Sequence, residues 1–160
     1  MKIRVICALL LALLLCGCGE NTPPAATTVP VTTVPAAPVD LQAVYNGMAA
    51  SLPEMVAMDE MMCLNLCGIR KEDCLQMIVT KCADGLRADE IWLIEAVDDA
   101  AMERLMKLTT SRLESLKQQT QSYSPEQYAV VQKAVVLRSG KYLAFIVAPN
   151  SAELAELFPA

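Results

Sequence analysis

Two predicted strands of this chain carry apolar side chains on both of their faces. In residues 90–97 (EIWLIEAV), Trp92 is on one face and Ile91 on the other, and residues 141–148 (KYLAFIVA) follow the same pattern. A sheet with one face in water would alternate apolar and polar residues along each strand. Each face of this sheet therefore needs a cover. A pair of predicted N-terminal helices is the simpler cover for the second face, and a partner interface is the alternative.

Capping residues, turn residues and hydrophobic periodicity predict four helices and four strands. They also predict one short helical turn, which lies between the third helix and the third strand. The helices begin at Asp40, after Pro53, at Asp98-Asp99 and at Asn150, where Glu153 completes a capping box. The predicted elements are helices 40–52, 54–67, 98–120 and 150–158, the turn 125–131, and strands 74–81, 90–97, 134–138 and 141–148. The main order α-α-β-β-α-β-β-α predicts an α+β fold. Its sheet is small, four-stranded and mainly antiparallel, packed by helices in two or three layers.

The absence of histidine excludes several kinds of chemistry. The chain has 160 residues and no His, so it has no Ser-His-Asp triad, no imidazole base and no His metal ligand. Its formal charge of −5, from 13 basic and 18 acidic residues, argues against nucleic acid as a partner. No Gly-rich phosphate loop is present. The sequence therefore predicts no catalytic residue, no cofactor and no nucleic-acid partner.

The N-terminus resembles a bacterial lipoprotein signal peptide. Lys2 and Arg4 precede an apolar run at residues 5–15, which at eleven residues is too short to span a bilayer. The following Leu-Cys-Gly-Cys is similar to a lipobox, with cleavage after Gly17 and a diacylglyceryl group on Cys18. Residues 1–17 are thus a predicted signal peptide, and the lipid on Cys18 anchors the protein at the outer face of the cytoplasmic membrane. An ordinary cleaved signal peptide is the alternative.

A Thr/Pro-rich tether follows the lipidated cysteine. Residues 19–39 hold five Pro, five Thr and one charge, with no helical or strand period. Such a segment favours polyproline-like extension and could span roughly 65 Å at about 3.1 Å per residue. Residues 18–39 are therefore a predicted spacer that lifts a single extracytoplasmic domain, residues 40–160, off the membrane. Its composition also permits O-glycosylation.

Four cysteines of the domain are candidates for disulfide bonds. They are Cys63, Cys67, Cys74 and Cys82. Cys63 and Cys67 lie one turn apart on a predicted helix, and Cys74 and Cys82 lie about 26 Å apart on an extended strand, so neither set pairs internally. Pairing between the two sets remains, in which Cys67 with Cys74 is the shorter link and Cys63 with Cys82 is its complement. Free thiols that fill the core are the equally supported alternative.

A soft-metal site is a further hypothesis for the same region. Met55, Met58 and Met62 share one stripe of the predicted second helix, with Cys63 and Cys67 nearby. Thioether and thiolate ligands suit Cu(I). The same spacing is typical of a core stripe, and this reading is preferred, so no metal ligand is assigned.

Three tyrosines are candidates for a recognition surface. Tyr123 precedes the predicted short helical turn at residues 125–131, Tyr128 lies within that turn, and Tyr142 lies in the last strand. Tyrosine is enriched at protein interfaces. The preferred alternative is a ring at the edge of the core with a hydrogen-bonded hydroxyl.

Several short motifs together resemble a known family. In chain order they are the lipobox, the Thr/Pro tether, Ala88-Asp89-Glu90-Ile91 before a strand, the segment from Tyr123 to Tyr128 (YSPEQY), and Gly140-Lys141-Tyr142 in the last hairpin. This order is similar to a family of lipoproteins of unknown function from Firmicutes, the one numbered four-three-five-eight. The resemblance covers roughly residues 41–158. The resemblance implies a lipid-anchored domain with the fold of that family. It implies no activity, because none is established for the family.

These observations favour a non-catalytic binding or adaptor module at the cell envelope. The expected partners are the membrane, through the lipid on Cys18, and an envelope protein or cell-wall component. One alternative is a lipoprotein that binds a small ligand or a soft metal. The other is a hydrolase-like enzyme that uses carboxylates or Cys, although no nucleophile–base pair is recognisable.

Overall fold

The computed structural model describes residues 38–159. The predicted signal peptide, Gly17, Cys18 and nearly all of the tether lie outside this range. The helices are α1 (Leu41–Ala49), α2 (Glu60–Met62), α3 (Asp99–Tyr123), α4 (Pro125–Gln132) and α5 (Ser151–Ala155), with a π-turn at Cys63–Cys67 and a 3-10 turn at Lys71–Asp73. The strands are β1 (Met55–Ala57), β2 (Cys74–Cys82), β3 (Glu90–Ala96), β4 (Val135–Ser139) and β5 (Tyr142–Val147). Among residues 38–159, no helix is both long and apolar enough to cross a membrane.

All five strands form one antiparallel sheet in the order β1-β2-β3-β5-β4. The central strands β3 and β5 are buried along their whole length. Trp92 of β3 is opposite Phe145 of β5, and their ring centroids lie 4.9 Å apart in an edge-on arrangement. Such an aromatic pair adds about 1 kcal/mol beyond the apolar area that it buries.

The two faces of the sheet have separate helical covers, so the α+β fold has three layers. On one face, α3 and α4 pack over Trp92 and the other side chains that share its face. On the opposite face, Leu41 and Met48 of α1 and Leu154 of α5 pack over Ile91. The prediction that both faces are covered is confirmed, but α5 takes the place of the predicted second N-terminal helix.

The predicted helix 54–67 is wrong in its first half. Residues 55–57 form β1, whose Met55 pairs with Cys82 of β2, so the sheet has five strands and not four. Pairing with the free edge of β2 outweighs the local helical spacing of this segment, as tertiary contacts often do. The helix begins only at Glu60, where the carboxylate of Asp59 accepts from the backbone N–H of Met62 at 2.8 Å.

Most other predicted helix ends agree with the structure. Asp40 caps α1 and Asp98 caps α3, each through its side-chain carboxylate. Gly68 ends the π-turn in the left-handed conformation, with a φ of 74°. The predicted cap at Asn150 is wrong, because its side chain makes no capping hydrogen bond and its backbone departs from the extended conformation of an N-cap.

Candidate functional site

An apolar surface forms where the chain crosses from β1 to β2 on the α3 side of the sheet. The backbone N–H of Met58 donates to the carbonyl of Val79 at 2.8 Å, which fixes the start of this crossing to the sheet. Cys63 and Cys67 then point into the core between the sheet and α3, while Leu64 remains 48% exposed. The π-turn produces this split, and π-turns occur frequently at functional sites.

A shallow concavity of about 290 Å³ lies beside the π-turn, and we call it the groove. It is lined by Glu60, Met61, Leu64, Ile69, Arg70, Lys71 and Glu72. Ile69 is buried and forms an apolar floor, whereas Met61 is 66% exposed at the wall. An apolar floor with charged groups around it is the usual composition of a binding site.

Charged side chains form the rim of the groove. Lys71 Nζ lies 4.0 Å from the Glu60 carboxylate, and Arg70 Nη2 lies 3.2 Å from the carboxylate of buried Asp73. Asp73 also accepts from Arg104 of α3 at 2.5 Å. Hydrogen bonds from Arg104 and Arg70 hold the pKa of the Asp73 carboxyl below its ordinary value, despite its burial. Asp73 is therefore an ionised anchor that orients Arg70 at the rim.

The four candidate cysteines are buried free thiols in the structure. Cys63, Cys67 and Cys74 belong to the core cluster beneath the groove, and Cys82 lies at the far end of β2 opposite Met55. Burial raises the pKa of Cys63, that of Cys67 to about 12 and that of Cys74 to about 11. Thiols with such values are protonated at neutral pH and are poor nucleophiles. The disulfide pairing of the four cysteines stays a prediction.

The methionines of the soft-metal hypothesis do not share a helical stripe. Met55 lies in β1, Met58 lies in the following loop and Met62 ends α2. The helix that would have aligned them is absent from this part of the chain. Between residues 38 and 159, no three Cys, Asp or Glu side chains are grouped in a way that could hold a metal ion.

The three candidate tyrosines lie in different parts of the structure. Tyr123 ends α3 and is 89% exposed, and Tyr128 is half-buried on α4. Tyr142 is buried on the opposite face, where its hydroxyl accepts from the backbone N–H of Val39 at 3.0 Å. Tyr142 thus has the alternative role, an edge-of-core ring with a hydrogen-bonded hydroxyl. Of the three tyrosines, Tyr123 has the most accessible ring.

Sequence reasoning missed the groove because it extended one helix through residues 54–67. One signal could have found it. Asp59 followed by Glu60 is a helix start, and Gly68 is a helix end, so the two together limit any helix here to about two turns. A helix that begins only at Glu60 leaves residues 55–57 free to form a strand.

The family comparison agrees with the sequence resemblance. A family model, Domain of unknown function (DUF4358), matches residues 48–148. The chain belongs to this family. The match runs from the end of α1 to the residue after β5, so it includes the sheet, α3, α4 and the groove. No curated protein and no solved structure matches the chain. The family description names no activity, so a functional conclusion depends on the geometry.

Proposed function

We propose that the protein is a membrane-anchored lipoprotein whose domain is a non-catalytic binding module at the cell envelope. It holds an apolar group of an envelope protein or cell-wall component in the groove. The observation that carries this proposal is the exposure of Met61 and Leu64 around the buried floor at Ile69. Exposed apolar surface with a polar rim is typical of interaction sites.

The size of the groove favours a side chain over a whole cofactor. Its volume of about 290 Å³ is at the lower limit of small-molecule pockets, which hold about 300–1,000 Å³. One or two apolar side chains of a partner would contact Met61 and Leu64. Lys71 and Glu60, which lie 4.0 Å apart, are available at the rim to hydrogen-bond the partner's backbone or its charged groups.

The state of the nearby reactive groups supports a non-catalytic role. The thiols of Cys67 and Cys74 have raised pKa values, so they are protonated at neutral pH. The buried carboxylates of Asp73, Asp89 and Glu90 are each paired with an arginine. A general base or nucleophile needs a group that is free to take a proton or to attack a substrate, and these groups are occupied or neutral.

Contacts at the base of the proposed tether join its last residue to the folded domain. Val39 packs against the α1 side of the core, and its carbonyl accepts from Gln76 Nε2 at 3.2 Å. With the hydrogen bond from its N–H to Tyr142, this fixes Val39 to β2 and to β5. The last residue of the proposed tether is thus part of the folded domain, and force from an anchor at Cys18 would act directly on the sheet.

Two experiments test the two parts of this proposal. Labelling of the native host with an alkynyl fatty acid tests the anchor, and we expect label on the wild type and none on Cys18→Ala.

Cross-linking and co-purification from the same host test the groove. We expect a partner with the wild type that is lost with Leu64→Asp and kept with Leu157→Asp, since both leucines are 48% exposed and Leu157 follows α5 on the opposite face. Equal recovery with both variants, or no partner above background, would contradict a role for the groove.

A further inference from the structure

We infer that the end of the sheet opposite Val39 is a second docking surface, for a protein with an apolar cleft and a basic rim. We call this surface the loop end, and it consists of residues 83–87 and 123–126. The inference goes beyond the proposed function, because the loop end and the groove are formed by different residues. The proposed partner is another protein. Binding of the loop end to a lipid surface or to a second copy of this chain would contradict the inference.

The position of the loop end follows from the direction of β2. Gln76, near the start of β2, holds Val39, and β2 then runs to Cys82 before the loop begins. The backbone N–H of Ala88 donates to the buried side-chain oxygen of Gln127 at 2.9 Å, which joins the loop to the first turn of α4. Leu86 lies in the loop two residues before Ala88, and Tyr123 lies at the end of α3 four residues before Gln127. Consecutive Cα atoms are 3.8 Å apart, so the path from Leu86 through this hydrogen bond to Tyr123 is at most about 30 Å long, which is within the width of one interface of about 800 Å² per partner.

Leu86 and Tyr123 are unusually exposed for their size. Leu86 is 86% exposed and Tyr123 is 89% exposed, compared with 66% for Met61 in the groove. A side chain placed at Gly85 would meet open space, so the loop tip projects away from the rest of the domain. Side chains with this exposure contribute little to the core, and tyrosine is enriched at protein interfaces and among the residues that dominate binding energy.

The backbone around both side chains is held in place by hydrogen bonds. In the loop, the carboxylate of Asp84 accepts from the N–H of Leu86 at 2.9 Å, and the carbonyl of Asp84 accepts from the N–H of Arg87 at 3.1 Å. At the helix junction, Ser124 caps α4 through its hydroxyl, which accepts from the N–H of Gln127 at 3.3 Å. A surface that is already ordered loses little conformational entropy on binding.

The charges at the loop end determine which partner fits. Asp84 and Glu126 are exposed close to Leu86 and Tyr123 in the chain, and the hydrogen bond from the N–H of Ala83 to the Glu54 carbonyl joins a third exposed acidic residue to the loop. The cation of the loop, Arg87, is already paired with the buried carboxylate of Asp89 at 3.0 Å. The rim is therefore acidic. It complements a basic rim on a partner and repels both anionic lipid headgroups and a second copy of the same surface.

Photo-crosslinking in the native host tests this inference with the full, lipid-anchored chain. The photoreactive residue benzoylphenylalanine is placed at position 86, at position 123, or at position 75. Leu75, near the start of β2 at the other end of the sheet, is 56% exposed and is the matched control. We expect positions 86 and 123 to give the same protein adduct, with Lys or Arg in the cross-linked peptide, and position 75 not to give this adduct. The charge reversals Asp84→Lys and Glu126→Lys together should reduce the adduct about tenfold or more.

Four outcomes would overturn the inference. They are no adduct at positions 86 and 123, an equal adduct at position 75, an adduct with lipid, or an adduct of twice the mass of the chain. A Leu64→Asp variant separates this surface from the groove, because it should abolish partner recovery at the groove and leave the loop-end adduct unchanged. If no adduct forms at positions 86 and 123 while the groove still recovers its partner, this inference is rejected and the proposed function is not.

Discussion

The carboxylate of Glu90 and the guanidinium of Arg112 form a buried ion pair that joins the first residue of β3 to the middle of α3. Arg112 donates to the two carboxylate oxygens at 2.6 and 2.9 Å, and Trp92 Nε1 donates to the same carboxylate at 2.7 Å. The side chain of Glu90 is 2% exposed and that of Arg112 is 14% exposed. Desolvation of Arg112 lowers its pKa, but the hydrogen bond and charge of Glu90 outweigh this effect and the pKa is raised. Arg112 therefore stays charged, and its guanidinium is held by the buried carboxylate of Glu90.

Removal of one partner from this pair should destabilise the domain strongly. Arg112→Leu leaves the Glu90 carboxylate buried without a counter-ion, and we expect a loss of about 3–5 kcal/mol in the free energy of unfolding. The double variant Glu90→Gln/Arg112→Leu removes the charge and keeps an acceptor for Trp92, so it should lose less. Urea denaturation at pH 7 measures both. Lys117→Leu, which breaks an exposed pair with Glu114, is the control and should lose less than about 0.5 kcal/mol. Equal losses in the single and double variants would contradict the role of the pair.

Asp73 should make stability depend on pH in the acid range. Its pKa is lower in the folded state than the ordinary value of 3.8, so its contribution is complete above that value and is lost as the pH falls through the folded-state pKa. Asp73→Asn should cost about 2 kcal/mol at pH 7, because the carboxylate accepts charged hydrogen bonds from Arg70 and Arg104. The difference between the wild type and the variant should shrink below about pH 3.8. Chemical denaturation between pH 2 and pH 7 measures it, and a difference that is constant across this range would refute the assignment.

The sequence predicted the parts of the fold that depend on local signals. Trp92 and Ile91 are apolar residues on opposite faces of one strand, so they indicated a sheet with helices packed on both faces. The structure has helices on both faces. The caps at Asp40 and Asp98 depend on a side chain and the backbone two or three residues later, so they too could be read from the chain.

The remaining features depend on contacts between distant segments. β1 has three residues, and nothing within Met55–Ala57 requires a strand until Met55 meets Cys82 across the sheet. The groove needs both the π-turn and Arg70, whose position is set by Asp73 and, through it, by Arg104 of α3. The loop end needs the contact between Ala88 and Gln127, which are 39 positions apart. Local patterns do not specify contacts over such separations.

Gly68 should tolerate substitution much less well than Gly85. Gly68 has a φ of 74°, and a Cβ at this position would lie 3.0 Å from a methyl carbon of Leu108. We expect Gly68→Ala to lose about 1–2 kcal/mol of stability, since an L residue is strained in the left-handed region. Gly85→Ala meets open space and is the matched control, which should change stability by less than about 0.5 kcal/mol. Thermal unfolding compares the two variants, and similar melting temperatures would contradict the left-handed end of the π-turn.

The buried thiols should resist alkylation until the domain unfolds. Burial raises the pKa of the Cys67 thiol to about 12, so the thiol stays protonated at neutral pH and reacts slowly. Burial further blocks access, so native protein treated with iodoacetamide at pH 8 should keep Cys63, Cys67 and Cys74 unmodified, and protein in guanidinium without reductant should be modified at all three. Peptide mass spectrometry measures the modification at each site. Asn65→Cys places an exposed thiol in the same π-turn and should react quickly in the native state, which controls for the reagent. Cysteines that stay unmodified in guanidinium until a reductant is added would instead be disulfide-bonded, and the free-thiol state would be wrong.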